Sequence, residues 1–347
     1  MIRVLVVDDS PFCQTILAQI LESESDIRVE AFADSGEAAL EYLSGRSVDV
    51  VTMDIQMKGM DGFEAARRIM ESEKPVPVVI VSSRWNPLEV DKTFEAMAAG
   101  AVAVLSKPGN IPETSEEYRT ELIKTIREAS GSEVKRLRKR LPQRDAASFA
   151  PLRRKLEIVA VGASTGGPRA LYTFLRGLPG DFPCPVLVVQ HMAAGFTPGF
   201  ADWLDRDSLL RVGIARDEEV LAPGRVYVAP EGRHLIMKRP GVAGLSDDEA
   251  EHMVRPSVSR LFRSAAEVCG KKCAALLFSG MGVDGVKEMK ALKDMGAATL
   301  VQDEETSVVW GMPGEAARID AAGYKGSPED LAGILSAMTA GESGAEP

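Results

Sequence analysis

The sequence has few cysteines and no long apolar run, and each of these absences excludes a class of protein. Four cysteines among 347 residues are too few for a disulfide scaffold. No segment approaches about 18 consecutive apolar residues, so no membrane-spanning helix is predicted. The short apolar run at residues 2–7 leads directly into Asp8 and Asp9, which favours a β-strand over the core of a signal peptide. The sequence therefore favours a cytoplasmic protein that is not inserted in a membrane.

Basic residues are outnumbered by acidic ones. The chain has 41 Lys and Arg against 51 Asp and Glu, a formal net charge of −10. This balance argues against a protein built around binding to nucleic acid or to an anionic membrane. At about 150 residues per domain, the length predicts roughly two domains. Each would be large enough to bury a core without disulfides or a structural metal.

Short apolar runs alternate with helical patterns in two stretches of the chain. In the first stretch, each strand-like run is followed by a helical pattern; these runs are residues 2–7, 27–32, 48–53, 76–81 and 101–105. A second alternation begins at Leu156, with strand-like runs at residues 156–161, 186–190, 274–279 and 299–302. Strands that alternate with helices predict parallel sheets covered on both faces. The fold class is therefore α/β, with two doubly wound parallel-sheet domains.

The composition changes between the two stretches. Residues 133–155 contain nine Lys and Arg and only two acidic residues. We therefore expect a helical tail and basic linker at 126–155, between domains at 1–125 and 156–337, with a frayed tail at 338–347. A nucleic-acid patch in the linker is disfavoured because Phe149 is its only aromatic residue. Within the second domain, residues 226–229 and 234–237 flank a turn-like segment and predict a hairpin.

Polar side chains follow the predicted strands of the first domain: Asp8 and Asp9, Asp54, Ser82 and Lys107. Open parallel sheets bind ligands outside the carboxyl ends of their strands. Three carboxylates at one point repel unless a cation lies among them, and hard oxygen ligands suit Mg²⁺ with a phosphate as a further ligand. Asp54 could then be a nucleophile toward a phosphoryl group. A lone aspartate at a strand end is more often a helix cap, but four matched strand ends favour a phosphoryl site.

A glycine-rich turn at residues 162–168 follows a predicted strand, opens a helix and exposes Ser164. Its G-x-S-x-G pattern alone is weak, because phosphate-binding loops look similar. His191 ends the next strand and Asp284 follows another, so the three can converge as nucleophile, base and orienting carboxylate. Each alone could be a capping or packed residue. The chain order Ser, His, Asp differs from the order Ser, Asp, His of α/β-hydrolases.

Residues 1–125 resemble the receiver domains of response regulators. The resemblance is carried by Val6-Val7-Asp8-Asp9-Ser10, Met53-Asp54, Met60-Asp61-Gly62, Val81-Ser82-Ser83 and Ser106-Lys107-Pro108. It implies a flavodoxin-like fold in which Asp54 is the phospho-acceptor, Asp8, Asp9 and Asp54 bind Mg²⁺, and Ser82 and Lys107 sense the phosphoryl group. Receivers usually carry an aromatic residue where this chain has Val104 and a proline where it has Lys58. The lack of the aromatic residue predicts weaker activation by phosphorylation.

Residues 156–337 resemble the catalytic domain of the chemotaxis protein-glutamate methylesterases, the CheB family. The matching segments are Gly162-Ala163-Ser164-Thr165-Gly166-Gly167, Gln190-His191-Met192, Gly195-Phe196-Thr197, Arg255-Pro256-Ser257-Val258, Gly280-Met281-Gly282-Val283-Asp284-Gly285 and Val308-Val309-Trp310-Gly311-Met312-Pro313. The resemblance implies a Rossmann-like domain in which Ser164 is the nucleophile, His191 the base and Asp284 its orienter. Thr165 would assist at the histidine, and the Met281 region would help form the oxyanion hole. The sequence departs from the pattern of this family at residues 193–194 and 247–251, and both segments lie outside the proposed triad.

The combined resemblance implies an enzyme that hydrolyses glutamate γ-methyl esters, and deamidates glutamine, on methyl-accepting chemotaxis receptors. A chemotaxis histidine kinase would phosphorylate Asp54 and so relieve a restraint on the esterase. The esterase step would need no cofactor. Two other hypotheses stay open. The protein could be a phosphorylation-dependent binding module, which would release no methanol, or a general serine esterase, which would act on small esters but not on receptor helices.

Overall fold

The computed structural model describes residues 1–82, 87–108, 115–132, 134 and 153–340. The chain forms two compact units, and each contains its own parallel sheet. Within the described ranges, no helix combines the length and the apolar character needed to cross a membrane. Most of the predicted linker and residues 341–347 of the predicted frayed tail lie outside the described residues.

The first unit alternates strands and helices. Its strands are β1 (Ile2–Val7), β2 (Ile27–Ala33), β3 (Val50–Asp54), β4 (Val78–Ser82) and β5 (Ala103–Ser106). Its helices are α1 (Pro11–Leu21), α2 (Gly36–Gly45), α3 (Gly62–Glu71), α4 (Pro87–Ala98) and α5 (Glu116–Ser130). The strands pair in parallel in the order β2-β1-β3-β4-β5, which is the flavodoxin-like order. Every residue of β3 and β4 is buried, as expected for strands covered on both faces.

The second unit contains a larger set of elements. Its strands are β6 (Ile158–Ala163), β7 (Val186–Gln190), β8 (Arg211–Ile214), β9 (Glu219–Val220), β10 (Arg225–Val228), β11 (His234–Arg239), β12 (Val242–Ser246), β13 (Cys273–Leu277), β14 (Ala298–Gln302) and β15 (Tyr324–Gly326). Its α-helices are α6 (Gly167–Arg176), α7 (Thr197–Asp207), α8 (Val258–Cys269), α9 (Val286–Asp294), α10 (Met312–Arg318) and α11 (Pro328–Thr339). The predicted α/β class with two parallel sheets is confirmed.

The order of the second sheet creates a crevice beside β6. Seven parallel strands pair in the order β15-β14-β13-β6-β7-β10-β8. From β6 the chain continues to β7 on one side, and it later returns to β13 on the other. Such a reversal is the topological switch point at which open α/β sheets bind ligands. The residues that follow β6, β7 and β13 therefore meet at one place.

The predicted hairpin is wrong. β10 pairs in parallel with β7 and β8, whereas β11 belongs to a second, antiparallel sheet with the order β11-β12-β9. The segment from Pro230 to Arg233 therefore connects two sheets. The hairpin turn lies instead between β11 and β12, where Gly241 adopts a positive φ of 71°. Alternating residues around a turn-like segment indicate two strands, but they do not specify which partner each strand takes.

Candidate active and phosphorylation sites

Three aspartates meet at the carboxyl end of the first sheet. Asp8 and Asp54 are buried and Asp9 is exposed. Each contributes one carboxylate oxygen to a cluster whose atoms all lie within 4.8 Å of one another. Asp8 follows β1 and Asp54 ends β3, and these two strands are neighbours. The donor set consists only of hard oxygens, so it fits Mg²⁺, which is usually held by one or two carboxylates together with waters and phosphate.

Lys107 balances part of the negative charge in this cluster. Its Nζ lies 2.7 Å from Asp54 Oδ2 and 3.4 Å from Asp8 Oδ2. Burial raises the pKa of Asp54 to about 6 even though the Lys107 ammonium opposes the shift. Although burial of Lys107 acts against it, the hydrogen bond and the charge of Asp54 hold the pKa of Lys107 above its usual value. The lysine is therefore a persistent cation beside the predicted phospho-acceptor.

Ser82 and Gly62 complete the surroundings of Asp54. Ser82 ends β4 and is fully buried, and among the described residues its Oγ has no hydrogen-bond partner. A hydroxyl in that state can bond to an incoming oxygen at little cost. Gly62 packs so closely that an added Cβ would lie 1.9 Å from the carbonyl oxygen of Asp54. Val104, at the position where receivers usually carry an aromatic residue, is buried in β5.

The chain segments that carry Ser164 and His191 are joined by hydrogen bonds. Ser164 follows β6 and His191 follows β7, two adjacent parallel strands. The amide of His191 donates to the carbonyl of Ala163 over 3.0 Å. Gln190 Nε2 donates to the carbonyl oxygens of Ser164, at 2.9 Å, and His191, at 2.7 Å. The backbone positions of the predicted nucleophile and base are thus fixed relative to each other.

His191 pairs with Asp284. His191 Nε2 lies 2.9 Å from Asp284 Oδ2, and both side chains are largely buried. Asp284 follows β13 and reaches the start of α8, where it accepts hydrogen bonds from the Ser257 hydroxyl and from the amides of Val258 and Ser259, at 2.7–2.8 Å. Burial alone would raise the pKa of Asp284, but His191 and these amides hold it well below its usual range. Asp284 is therefore held as an ionised carboxylate beside the His191 ring.

The remaining predicted residues lie nearby in the fold with different exposures. Ser164 is half-buried, and in the described part of the chain no hydrogen bond joins its hydroxyl to His191; catalytic hydrogen bonds are often long in free enzymes. Thr165 is buried, and its carbonyl accepts a hydrogen bond from Ser279 Oγ at 2.7 Å. Met281 is 47% exposed, and because its thioether has no N–H or O–H to donate, only its backbone amide could serve an oxyanion hole.

The role of the start of α8 was missed by the sequence-based reasoning. Ser257 immediately precedes a helix, and a serine there usually accepts a hydrogen bond from an amide of its own first turn. In this protein the Ser257 hydroxyl makes no such bond and donates to Asp284 instead. The sequence offered two signals: a serine before an amphipathic run, which indicates a cap, and the family-like segment Arg255-Pro256-Ser257-Val258, which does not indicate a carboxylate partner.

Gly280 sets the position of Ser164, which leads to a first prediction. A Cβ added at Gly280 would lie 2.7 Å from Ser164 Cβ and 2.7 Å from Met312 Sδ. We expect Gly280→Ala to displace the serine and to lower kcat by about a hundredfold, because small misplacements of reacting groups are costly. The matched control is Gly213→Ala, since an added Cβ there would meet nothing within 4 Å. Equal kcat values for the two variants would contradict this packing argument.

Both halves of the chain match known protein families. A CheB methylesterase family model matches residues 159–335, and a response regulator receiver domain model matches residues 4–119. The chain is 44% identical over 342 residues to protein-glutamate methylesterase/protein-glutamine glutaminase 1 of Syntrophus aciditrophicus, covering 96% of this chain and 97% of the relative. It is 45% identical over 347 residues to the protein of the same name, without a number, from Nitrosospira multiformis, covering 98% of each chain.

A solved structure also resembles the second unit. The crystal structure of the Thermotoga maritima CheB methylesterase catalytic domain is 38% identical to this chain, with a TM-score of 0.50. The match covers 52% of this chain and 97% of that domain. That share is close to the part of the chain matched by the family model, residues 159–335.

Proposed function

The chain belongs to the CheB methylesterase family of enzymes, and on that basis we propose that it hydrolyses glutamate γ-methyl esters, and deamidates glutamine, on methyl-accepting chemotaxis receptors. The observation that carries this proposal is the largely buried His191–Asp284 pair at the switch point of the second sheet. Gln190, next to His191, donates a hydrogen bond to the carbonyl of Ser164. The proposed domains are a receiver at 1–125 and a methylesterase domain at 156–337, and the proposed location is the cytoplasm.

The proposed chemistry is acyl transfer through Ser164. The serine oxygen attacks the side-chain carbonyl of the substrate while His191 takes the hydroxyl proton. Since Nε2 of His191 faces Asp284, Nδ1 is the nitrogen left for this proton. The imidazolium then gives the proton to the departing methanol or ammonia, and an acyl-enzyme remains. Water, deprotonated by the same histidine, attacks the acyl group, and the imidazolium returns that proton to the Ser164 oxygen as glutamate is released.

Two groups would stabilise charge during these steps. Asp284 lies 2.9 Å from His191 Nε2 and stabilises the imidazolium when it forms. The backbone at Met281, next to the close contact between Gly280 and Ser164, is the proposed donor to the oxyanion, and Thr165 is proposed to assist at the histidine. Amides directed at a developing oxyanion are among the largest contributors to acyl transfer.

The first unit is proposed to regulate this reaction through phosphorylation of Asp54 by a chemotaxis histidine kinase. Asp8, Asp9 and Asp54 are the proposed ligands of Mg²⁺, which when bound would neutralise the carboxylates and the phosphoryl oxygens. Lys107, 2.7 Å from Asp54, would hold one phosphoryl oxygen. The hydroxyl of Ser82, which has no hydrogen-bond partner in the described part of the chain, would bond to another.

Replacement of Asp54 should separate regulation from catalysis. Asp54→Asn keeps the shape of the side chain but lacks the nucleophilic carboxylate oxygen, so we expect no phosphorylation and no stimulation by a phosphoryl donor. The basal esterase rate should persist, because Ser164 and its partners lie in the other unit. The measurement is esterase rate with and without acetyl phosphate and Mg²⁺ in both proteins. Stimulation of the variant equal to that of wild type would contradict the assignment of Asp54.

Substrate choice distinguishes the proposed function from its alternatives. The test compares release of methanol from a methylated chemoreceptor with hydrolysis of a small ester such as p-nitrophenyl acetate. Release of methanol from the receptor supports the proposal. Hydrolysis of the small ester alone would indicate a general serine esterase, and absence of both activities would indicate a binding module.

A further inference from the structure

His234 is a buried histidine that the proposed chemistry does not use. It begins β11 and is fully excluded from solvent. Its Nδ1 accepts a hydrogen bond from the amide of Ser257 at 3.1 Å, and its Nε2 donates to the carbonyl of Glu249 at 3.0 Å. An amide can only donate and a carbonyl can only accept, so these partners require the neutral imidazole with its proton on Nε2.

Ser257 connects this histidine to the predicted triad. Ser257 is also fully buried, and its hydroxyl donates to Asp284 Oδ1 at 2.8 Å. The next two amides, of Val258 and Ser259, donate to the same carboxylate. Three of the groups that surround Asp284 therefore belong to one short backbone segment, and the fourth is His191. Whatever fixes that segment also fixes the direction of the carboxylate.

We propose that His234 is a positioning residue for the esterase site. By accepting from the Ser257 amide, it holds the start of α8 so that Asp284 points at His191. This role rests on the proposed function, since it concerns the orientation of the same base. His234 is inaccessible to solvent and is separated from His191 by Ser257 and Asp284. We therefore expect its replacement to lower kcat and to leave KM unchanged.

Two substitutions test the two hydrogen bonds of His234 separately. In His234→Asn, the side-chain oxygen can occupy the place of Nδ1 and still accept from Ser257. In His234→Gln, the side-chain amide nitrogen can occupy the place of Nε2 and still donate to Glu249, but the acceptor for Ser257 is lost. We expect His234→Gln to lower kcat about ten- to a hundredfold, as misplaced catalytic groups do. His234→Asn should keep most of the wild-type kcat, and both variants should keep the wild-type KM.

A spectroscopic readout makes the test independent of turnover. The proton on His191 Nε2, hydrogen-bonded to Asp284, gives a low-field NMR signal in protein labelled with ¹⁵N-histidine. The signal should shift in His234→Gln and stay near its wild-type position in His234→Asn. If wild type released no methanol from a methylated receptor, the proposed function would fail, but this comparison would still decide the role of His234.

Three results would overturn the proposal. The first is a wild-type kcat and an unshifted His191 signal in His234→Gln. The second is an equal loss of kcat in both variants, in proportion to the fall in their melting temperatures. That result would indicate that His234 has a packing role only. The third needs no variant: ¹⁵N shifts of wild-type His234 that report a protonated ring, or a proton on Nδ1, would exclude the required acceptor even if a variant failed to fold.

Discussion

Ser164→Ala should abolish the release of methanol from a methylated chemoreceptor and leave the protein folded. The substitution removes the oxygen atom that is proposed to form the covalent bond to the substrate. Loss of the nucleophile in serine hydrolases with this triad lowers kcat by at least about a thousandfold, and often far more. Ser164 is half-buried in a turn, and among the described residues its hydroxyl has no hydrogen-bond partner, so the melting temperature should change little.

The matched control for this experiment is Ser336→Ala. Ser336 lies in α11, and its hydroxyl bonds to the carbonyl of Ala332 within that helix. Its removal deletes the same atom from a serine without a catalytic assignment, so kcat should stay at the wild-type value. Turnover of Ser164→Ala close to that of Ser336→Ala would refute Ser164 as the nucleophile.

Asp284→Asn is expected to have the second largest effect on kcat, a loss of about 10³–10⁴-fold. An amide in place of the carboxylate no longer stabilises the imidazolium of His191. It also turns an NH₂ group toward at least one of the donors that surround Asp284, namely His191, Ser257 and the first amides of α8. The control is Asp320→Asn, because Asp320 is an exposed aspartate that pairs with Lys293 at 2.7 Å. The measurement is kcat and KM for both variants.

The same substitution should also destabilise the second unit. The folded pKa of Asp284 is held well below its usual value, so the ionised carboxylate stabilises the folded protein at neutral pH. That contribution is lost as the pH falls through the folded pKa. The melting temperature of wild type should therefore exceed that of Asp284→Asn at pH 7, and the difference should shrink on acidification. Equal melting temperatures at pH 7 would contradict the role of Asp284 at the start of α8.

The strand ends explain why much of the site could be predicted from sequence. Buried parallel strands are continuous apolar runs, so a polar residue at the end of a run marks the edge of the sheet at which ligands bind. Asp8, Asp54 and Lys107 follow such runs, and the structure brings them together. His191 and Asp284 also follow predicted strands, and the structure pairs them.

Contacts between segments distant in sequence could not be predicted in the same way. The hairpin prediction failed because local alternation indicates strands and not their partners, and β11 pairs with β12 rather than with β10. The link from His234 through Ser257 to Asp284 joins three segments, and nothing in the spacing of these residues along the sequence indicates that they meet. Such links follow from tertiary packing.

The decisive experiment is the release of methanol by the full chain from a methylated chemoreceptor, measured with and without acetyl phosphate and Mg²⁺. We expect release that depends on Ser164, that rises when the phosphoryl donor is present, and that does not rise in Asp54→Asn. No release from the methylated receptor under either condition, or release that survives Ser164→Ala, would contradict the proposed function.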